Sequence, residues 1–228
     1  VWQEVRELLR PQGAEVVTVA LDTGGVDAAR PWIDAARPRH PSLIDEAHLL
    51  DELYGIVNVP SGVWIDESGT IVRPPEPAFP GRAVIAELEL PSDAPALLHE
   101  QLREASKLKV EPERYLQALR DWAAKGQHSR FALEPEDVVK RSTPRPAEVS
   151  RAAANFELGQ HLHRLGEFKA AVPYFKQAHR LQPENWTYKR QAWVFAHPLQ
   201  GPSEDYDTDW LTEVRRIGAE NYYPSADL

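Results

Sequence analysis

Two groups of side chains in this 228-residue sequence have types and spacings that could bind metal. His161 and His163 stand two apart in QHLHRLG, and Asp205, Asp207 and Asp209 alternate in DYDTDW, like the opening of a calcium loop. Neither survives elementary geometry. On a helix, residues two apart point about 200° from each other, so the two imidazoles cannot share an ion. A calcium loop needs Gly at its sixth position and a bidentate Glu at its twelfth, and these places hold Trp210 and Arg216. Asp22 closes an apolar run and sits where α/β folds often place functional groups, but a cap for the following turn explains it as well. No phosphate-binding glycine loop, Ser-His-Asp signature or His-Glu-x-x-His motif occurs. Cysteine is absent, which excludes disulfides, thiolate metal sites and cysteine nucleophiles within this sequence. No cofactor or metal is therefore expected.

The elements that must position any site follow from periodicity. Trp2, Val5, Leu8 and Leu9 share one helical face, and Pro11 and Gly13 stop that helix. Glu15 to Asp22 reads EVVTVALD, the near-continuous apolar run of a strand covered on both faces, which implies a parallel sheet. Pro31 suits the first turn of a short helix ending at Ala36. Ser42 to Ile44 is a short strand, Asp45 caps the next helix, and Ala47, Leu50 and Tyr54 form its buried side up to Gly55. Gly62 to Asp66 and Thr70 to Val72 make a hairpin around Glu67-Ser68-Gly69. Four prolines between Pro74 and Pro80 are expected to take the chain out of the sheet.

From Gly81 onward the pattern is helical, with Val84, Leu88, Leu97, Leu98, Leu102 and Ala105 apolar, then Tyr115, Leu116, Leu119 and Trp122 in a second helix ending near Gly126. Residues 141–146, RSTPRP, read as a linker.

Pro41 to Arg73, PSLIDEAHLLDELYGIVNVPSGVWIDESGTIVR, resembles the second half of thioredoxin-like domains of the TlpA/ResA and AhpC/TSA redoxin group. The resemblance rests on Ile44-Asp45, Leu53-Tyr54-Gly55-Ile56, Val59-Pro60, Val63-Trp64-Ile65-Asp66, Gly69 and Ile71-Val72. It extends back through Glu15 to Asp22 and covers residues 1–80. It implies a cis Val59-Pro60 bond and a loop, Val59, Pro60 and Ser61, that binds substrate by pairing its backbone with an extended peptide. The family often has Thr or Ser at both positions after the proline; here they are Ser61 and Gly62. The family's central strand and its Cys motif at a helix N-terminus have no counterpart after Val1, so the resemblance places the redox residue upstream.

Ala152 to Asn185 is similar to one tetratricopeptide (TPR) repeat, a 34-residue helical hairpin. Leu158-Gly159, Leu162, Gly166, Phe168, Ala171, Phe175, Ala178 and Pro183 fall at its offsets, with Asn155 where Trp is usual. Gly159 is expected to face Ala171, with Phe175 buried between the helices. One repeat cannot bury its own face, so residues Trp186 to Phe195 are expected to supply a covering helix, with Trp186, Tyr188 and Trp193 as its packing. The wider set Trp186, Tyr188, Trp193, Phe195, Tyr206, Trp210, Tyr222 and Tyr223 fits the packing of a C-terminal extension onto its domain, or alternatively an interaction surface.

The expected architecture is thus an α/β thioredoxin-like fold in residues 1–80 lacking its N-terminal part, a helical connector in 81–146, and an all-α, TPR-containing domain in 147–228. The formal charge of -9 and the lack of a basic stripe speak against nucleic acid as partner. No run approaches the roughly 20 apolar residues of a membrane span. Nineteen Arg against seven Lys, with abundant Ala and Pro, suggest a bacterial source, with the cytoplasm favoured over export.

For function, the resemblance implies a redoxin, a thiol-disulfide oxidoreductase or peroxidase with its nucleophile before Val1, acting on a thiol- or disulfide-bearing protein or a peroxide. The alternative is a non-catalytic thioredoxin-like scaffold that binds a protein partner through its helical region.

Overall fold

A computed structural model describes residues 1–81, 89–142, 145–225 and 227–228. The chain divides into two compact units: Val1–Gly81, Glu111–Pro144 and Ala226–Leu228 form the first, and Arg82–Val110 and Arg145–Ser225 the second. The expected connector over 81–146 is therefore not one body. Its helix at 112–125 belongs to the first unit and its helix at 96–105 to the second. Val84 and Leu88 lie outside the described residues, as do Thr143 and Pro144 of the expected linker.

In the first unit, α1 (Trp2–Leu9) buries Val5 and Leu9, and a 3-10 turn ends at Gly13, whose φ of 87° suits glycine. β1 (Thr18–Leu21) and β2 (Ser42–Asp45) pair in parallel, Thr18 against Ser42 through Leu21 against Asp45. They are joined by α2 (Gly25–Ala36). Pro31 lies inside α2 and not in its first turn, which corrects the expected start of this helix. After α3 (Leu49–Tyr54), β3 (Ser61–Ile65) and β4 (Ile71–Pro77) form an antiparallel pair. The two pairs are separate two-stranded sheets.

Two further expectations fail here. All four β1 residues are only half-buried and Val17 is 53% exposed, so this strand is not covered on both faces. The prolines after Arg73 do not leave the sheet either, since Pro74, Pro75 and Pro77 are part of β4. An edge strand can hold them because its outer side needs no donors, and irregular register opposite Gly62 and Trp64 relaxes the ladder.

The core of this unit joins α1, β3, β4 and α5 (Pro112–Lys125): Val5, Leu9, Trp64, Val72, Ala78, Tyr115, Ala118, Leu119 and Phe131 are buried together. α6 (Pro135–Ser142) packs against β4.

In the second unit, α7 (Ala147–Arg164) and α8 (Phe168–Leu181) form a hairpin that turns at Gly166, φ 82°. α4 (Ala96–Ala105), α9 (Trp186–Ala196) and α10 (Trp210–Ile217) complete it. Phe175 is 1% exposed. The group that closes on Gly159 is its ring, and not Ala171 as expected: a Cβ there would lie 2.8 Å from Phe175 Cδ1. Trp186, Tyr188, Trp193, Tyr206, Trp210 and Tyr222 are buried in the same core, with Phe195 and Tyr223 packed against it. Among the described residues no helix is long and apolar enough to cross a membrane.

Candidate functional site

The loop Val59-Pro60-Ser61 enters β3 directly, and its position is set from both sides. The Val59-Pro60 bond is cis. Ala78 N–H donates to the Pro60 carbonyl at 3.1 Å, and Ser61 stands opposite Pro77 in the β3–β4 register. Val59 N–H donates to Oδ1 of Asn58 at 2.9 Å. Asn58 is 5% exposed, whereas the three loop residues are half-buried. The backbone groups that would pair with an extended peptide are thus partly engaged within the protein. Asn58 was not readable as a site residue, because an Asn before Val-Pro looks like an ordinary turn former.

Behind the loop, Tyr115 of α5 is 3% exposed, and its hydroxyl accepts a hydrogen bond from Trp64 Nε1 at 3.2 Å. Burial pushes its pKa up, so the phenol stays protonated. The same hydroxyl explains the departure at Gly62: a Cβ at that position would lie 2.5 Å from Tyr115 Oη and 3.0 Å from Ala78 Cβ. Thr or Ser cannot stand where this tyrosine reaches. Trp64 stacks on Trp122 with ring centroids 5.1 Å apart, and the Arg73 guanidinium lies 5.3 Å from the Trp64 ring.

Arg73, 2% exposed, is satisfied by Glu76 through Nε (2.8 Å) and Nη2 (2.9 Å), by the Phe131 carbonyl (2.8 Å) and by the Asp227 carbonyl (2.6 Å). A guanidinium can be buried when each of its faces finds an acceptor. It fixes β4 under the loop.

At the C-terminal ends of β1 and β2, Asp22 Oδ1 accepts from Gly24 N–H at 2.8 Å, the cap expected of it. Asp45 Oδ2 accepts from Leu50 N–H at 2.7 Å and so caps α3. Of the expected buried side of that helix, Ala47 is exposed. His48 is 3% exposed with φ 57°, and burial pushes its pKa down to about 4 although Asp45 and Asp22 pull it upward. At neutral pH it is uncharged.

The metal-like groups separate in space as their spacing dictates. His161 faces solvent while His163 stacks on Phe195. Asp205 pairs with Lys169 (2.7 Å), Asp207 with Lys176 (3.4 Å), and Asp209 caps α10 through Thr212 N–H (2.8 Å). No group of three metal-type ligands occurs among the described residues.

The arrangement around 58–62 contains no cysteine. No family model, curated protein or solved structure matches the chain, so the reading of this loop rests on its residues and geometry.

Proposed function

We propose that this chain belongs to a thioredoxin-like redoxin, a thiol-disulfide oxidoreductase or peroxiredoxin-like enzyme, whose nucleophilic cysteine or selenocysteine precedes Val1. In this reading its helical region carries one TPR hairpin. The observation that carries the proposal is the strand arrangement. β1 and β2 run parallel around the crossover helix α2, β3 and β4 form a hairpin entered through Val59, Pro60 and Ser61, and β1 and β3 are each paired on one side only. One further strand between β1 and β3 would satisfy both open edges and cover the half-exposed β1 side chains. A chain passing from that strand into α1 would bring a nucleophile to a helix N-terminus, where unpaired N–H groups stabilise a thiolate.

The loop at 59–61 would then hold the substrate. A substrate carbonyl pairing with Val59 N–H would replace the Asn58 side chain that now occupies it. With no cysteine, residues 1–228 cannot form a mixed disulfide. A pure sample of this composition should show no reductase or peroxidase turnover.

The test is to read the coding sequence upstream of Val1 and express the extended protein. A Cys or selenocysteine codon there, with disulfide or peroxide turnover that disappears on its replacement by Ser, supports the proposal. An upstream segment with neither residue sinks it and leaves a non-catalytic scaffold.

A further inference from the structure

The second unit contains a cleft of about 410 Å3, within the range of small-ligand sites. His163 at the end of α7, Phe168 and Phe175 of α8, Phe195 of α9, and Asp205 and Tyr206 of the following loop line it. The rings form a connected wall. His163 lies parallel to Phe195, with centroids 3.6 Å apart and planes at 15°, and it also meets Phe168 at 4.8 Å. Phe195 in turn meets Phe175 at 5.8 Å.

Three polar side chains, His163, Asp205 and Tyr206, break this apolar lining. Tyr206, 8% exposed, brings a hydroxyl to the lining. Asp205 carries the cleft's charge: no cationic side chain lines it, and burial lowers the His163 pKa, so that imidazole is neutral at pH 7. Lys169 Nζ reaches Asp205 Oδ1 at 2.7 Å, but its side chain is 80% exposed, and an ion pair of that kind is weak and readily broken.

Ring faces are negative and attract cations with apolar surfaces, and a carboxylate beside them adds to the attraction. A neutral apolar ligand would strip water from Asp205 without compensation, and an anion would be repelled. We propose that this cleft binds an alkylated ammonium group, carried either by a free amine or by a methylated lysine side chain. The alkyl groups lie against Phe168 and Phe195, the charge faces Asp205, and the Tyr206 hydroxyl bonds a polar atom next to the ammonium.

Choline, a short peptide containing trimethyllysine, and 3,3-dimethyl-1-butanol, the uncharged isostere of choline, are titrated into the full chain while amide NMR shifts are followed. At least one cation should saturate the cleft at millimolar concentration or below, with shifts centred on residues 163, 168, 195 and 206. The isostere should bind about tenfold more weakly. The tighter of the two cations identifies the source. Asp205→Asn should weaken binding about tenfold, and Lys169→Ala, which frees Asp205, should strengthen it roughly twofold to fivefold. Equal binding of the isostere, no saturation by either cation, or indifference to both substitutions would overturn the proposal.

Discussion

At single positions, the closeness of a neighbour decides what a residue is for. Gly62 has room for a hydrogen and nothing larger, because the Tyr115 hydroxyl and Ala78 close over it. Gly62→Ala should cost about 1–3 kcal/mol by overpacking. Trimming the neighbour in the double variant with Tyr115→Phe should recover part of that loss, and a double-mutant cycle in denaturant unfolding measures the coupling. Larger still is the expected effect of Phe175→Ala, about 3–5 kcal/mol, since the deleted ring is fully buried against Gly159 and Phe156. His161 is exposed, so His161→Ala should cost well under about 1 kcal/mol. Thermal melts of the two variants would separate by many degrees; equal melting points would mean that the packing described for the hairpin is wrong.

At the level of elements, local signals set where helices start and stop, while neighbours set how far strands run. Asn185 shows the first effect: its side chain accepts from Tyr188 N–H at 3.1 Å and from the Thr187 hydroxyl, and it stands at the N-cap of α9. Asn185→Ala should destabilise the second unit by about 1 kcal/mol, whereas Asn185→Ser should cost about half as much or less. Chemical denaturation of the pair tests this, and an equal loss in both would show that the cap is not the cause. β4 shows the second effect. Prolines at 74, 75 and 77 argue locally against a strand, yet β3 holds the chain in register because β4 needs hydrogen bonds on one side only. Pro31 inside α2 likewise overrides its local preference for a helix start.

Across the molecule, each unit has its own buried core, built on aromatic residues. The first unit also carries a titratable group that couples its stability to acid. His48 has its pKa pushed down to about 4, from the ordinary 6.5, by burial. Between these values the unfolded chain binds a proton that the folded one excludes, so this contribution is complete above about pH 6.5 and is lost as pH falls toward 4. The loss should be on the order of 2–3 kcal/mol. His48→Asn, a residue that tolerates the positive φ at this position, should make the first unit less sensitive to acid over that window. Hydrogen exchange at first-unit amides between pH 7 and 4.5 compares the two proteins; identical pH dependence would show that folding does not shift the His48 pKa.

What the sequence determined by itself was what depends on neighbours along the chain. The helical faces of α1, α5 and α8, the Gly69 turn between β3 and β4, the caps made by Asp22 and Asp45, and the incompatibility of His161 with His163 all follow from spacing and side-chain chemistry within a few residues. Of the loop at 59–61, its place between α3 and the hairpin was legible from order alone. Its surroundings were not. Asn58 on Val59 N–H, the Ala78 amide on Pro60 and the tyrosine that excludes a side chain at Gly62 come together only on folding, Tyr115 from 53 positions further along the chain. The half-exposure of β1, the assignment of α4 and α5 to different units, and the aromatic cleft between α7, α8, α9 and the loop after it were likewise decided by tertiary structure. The physical reason is the same throughout: propensity and capping act over a turn of chain, whereas burial and unpaired polar groups are settled by contacts whose sequence separation no local pattern records.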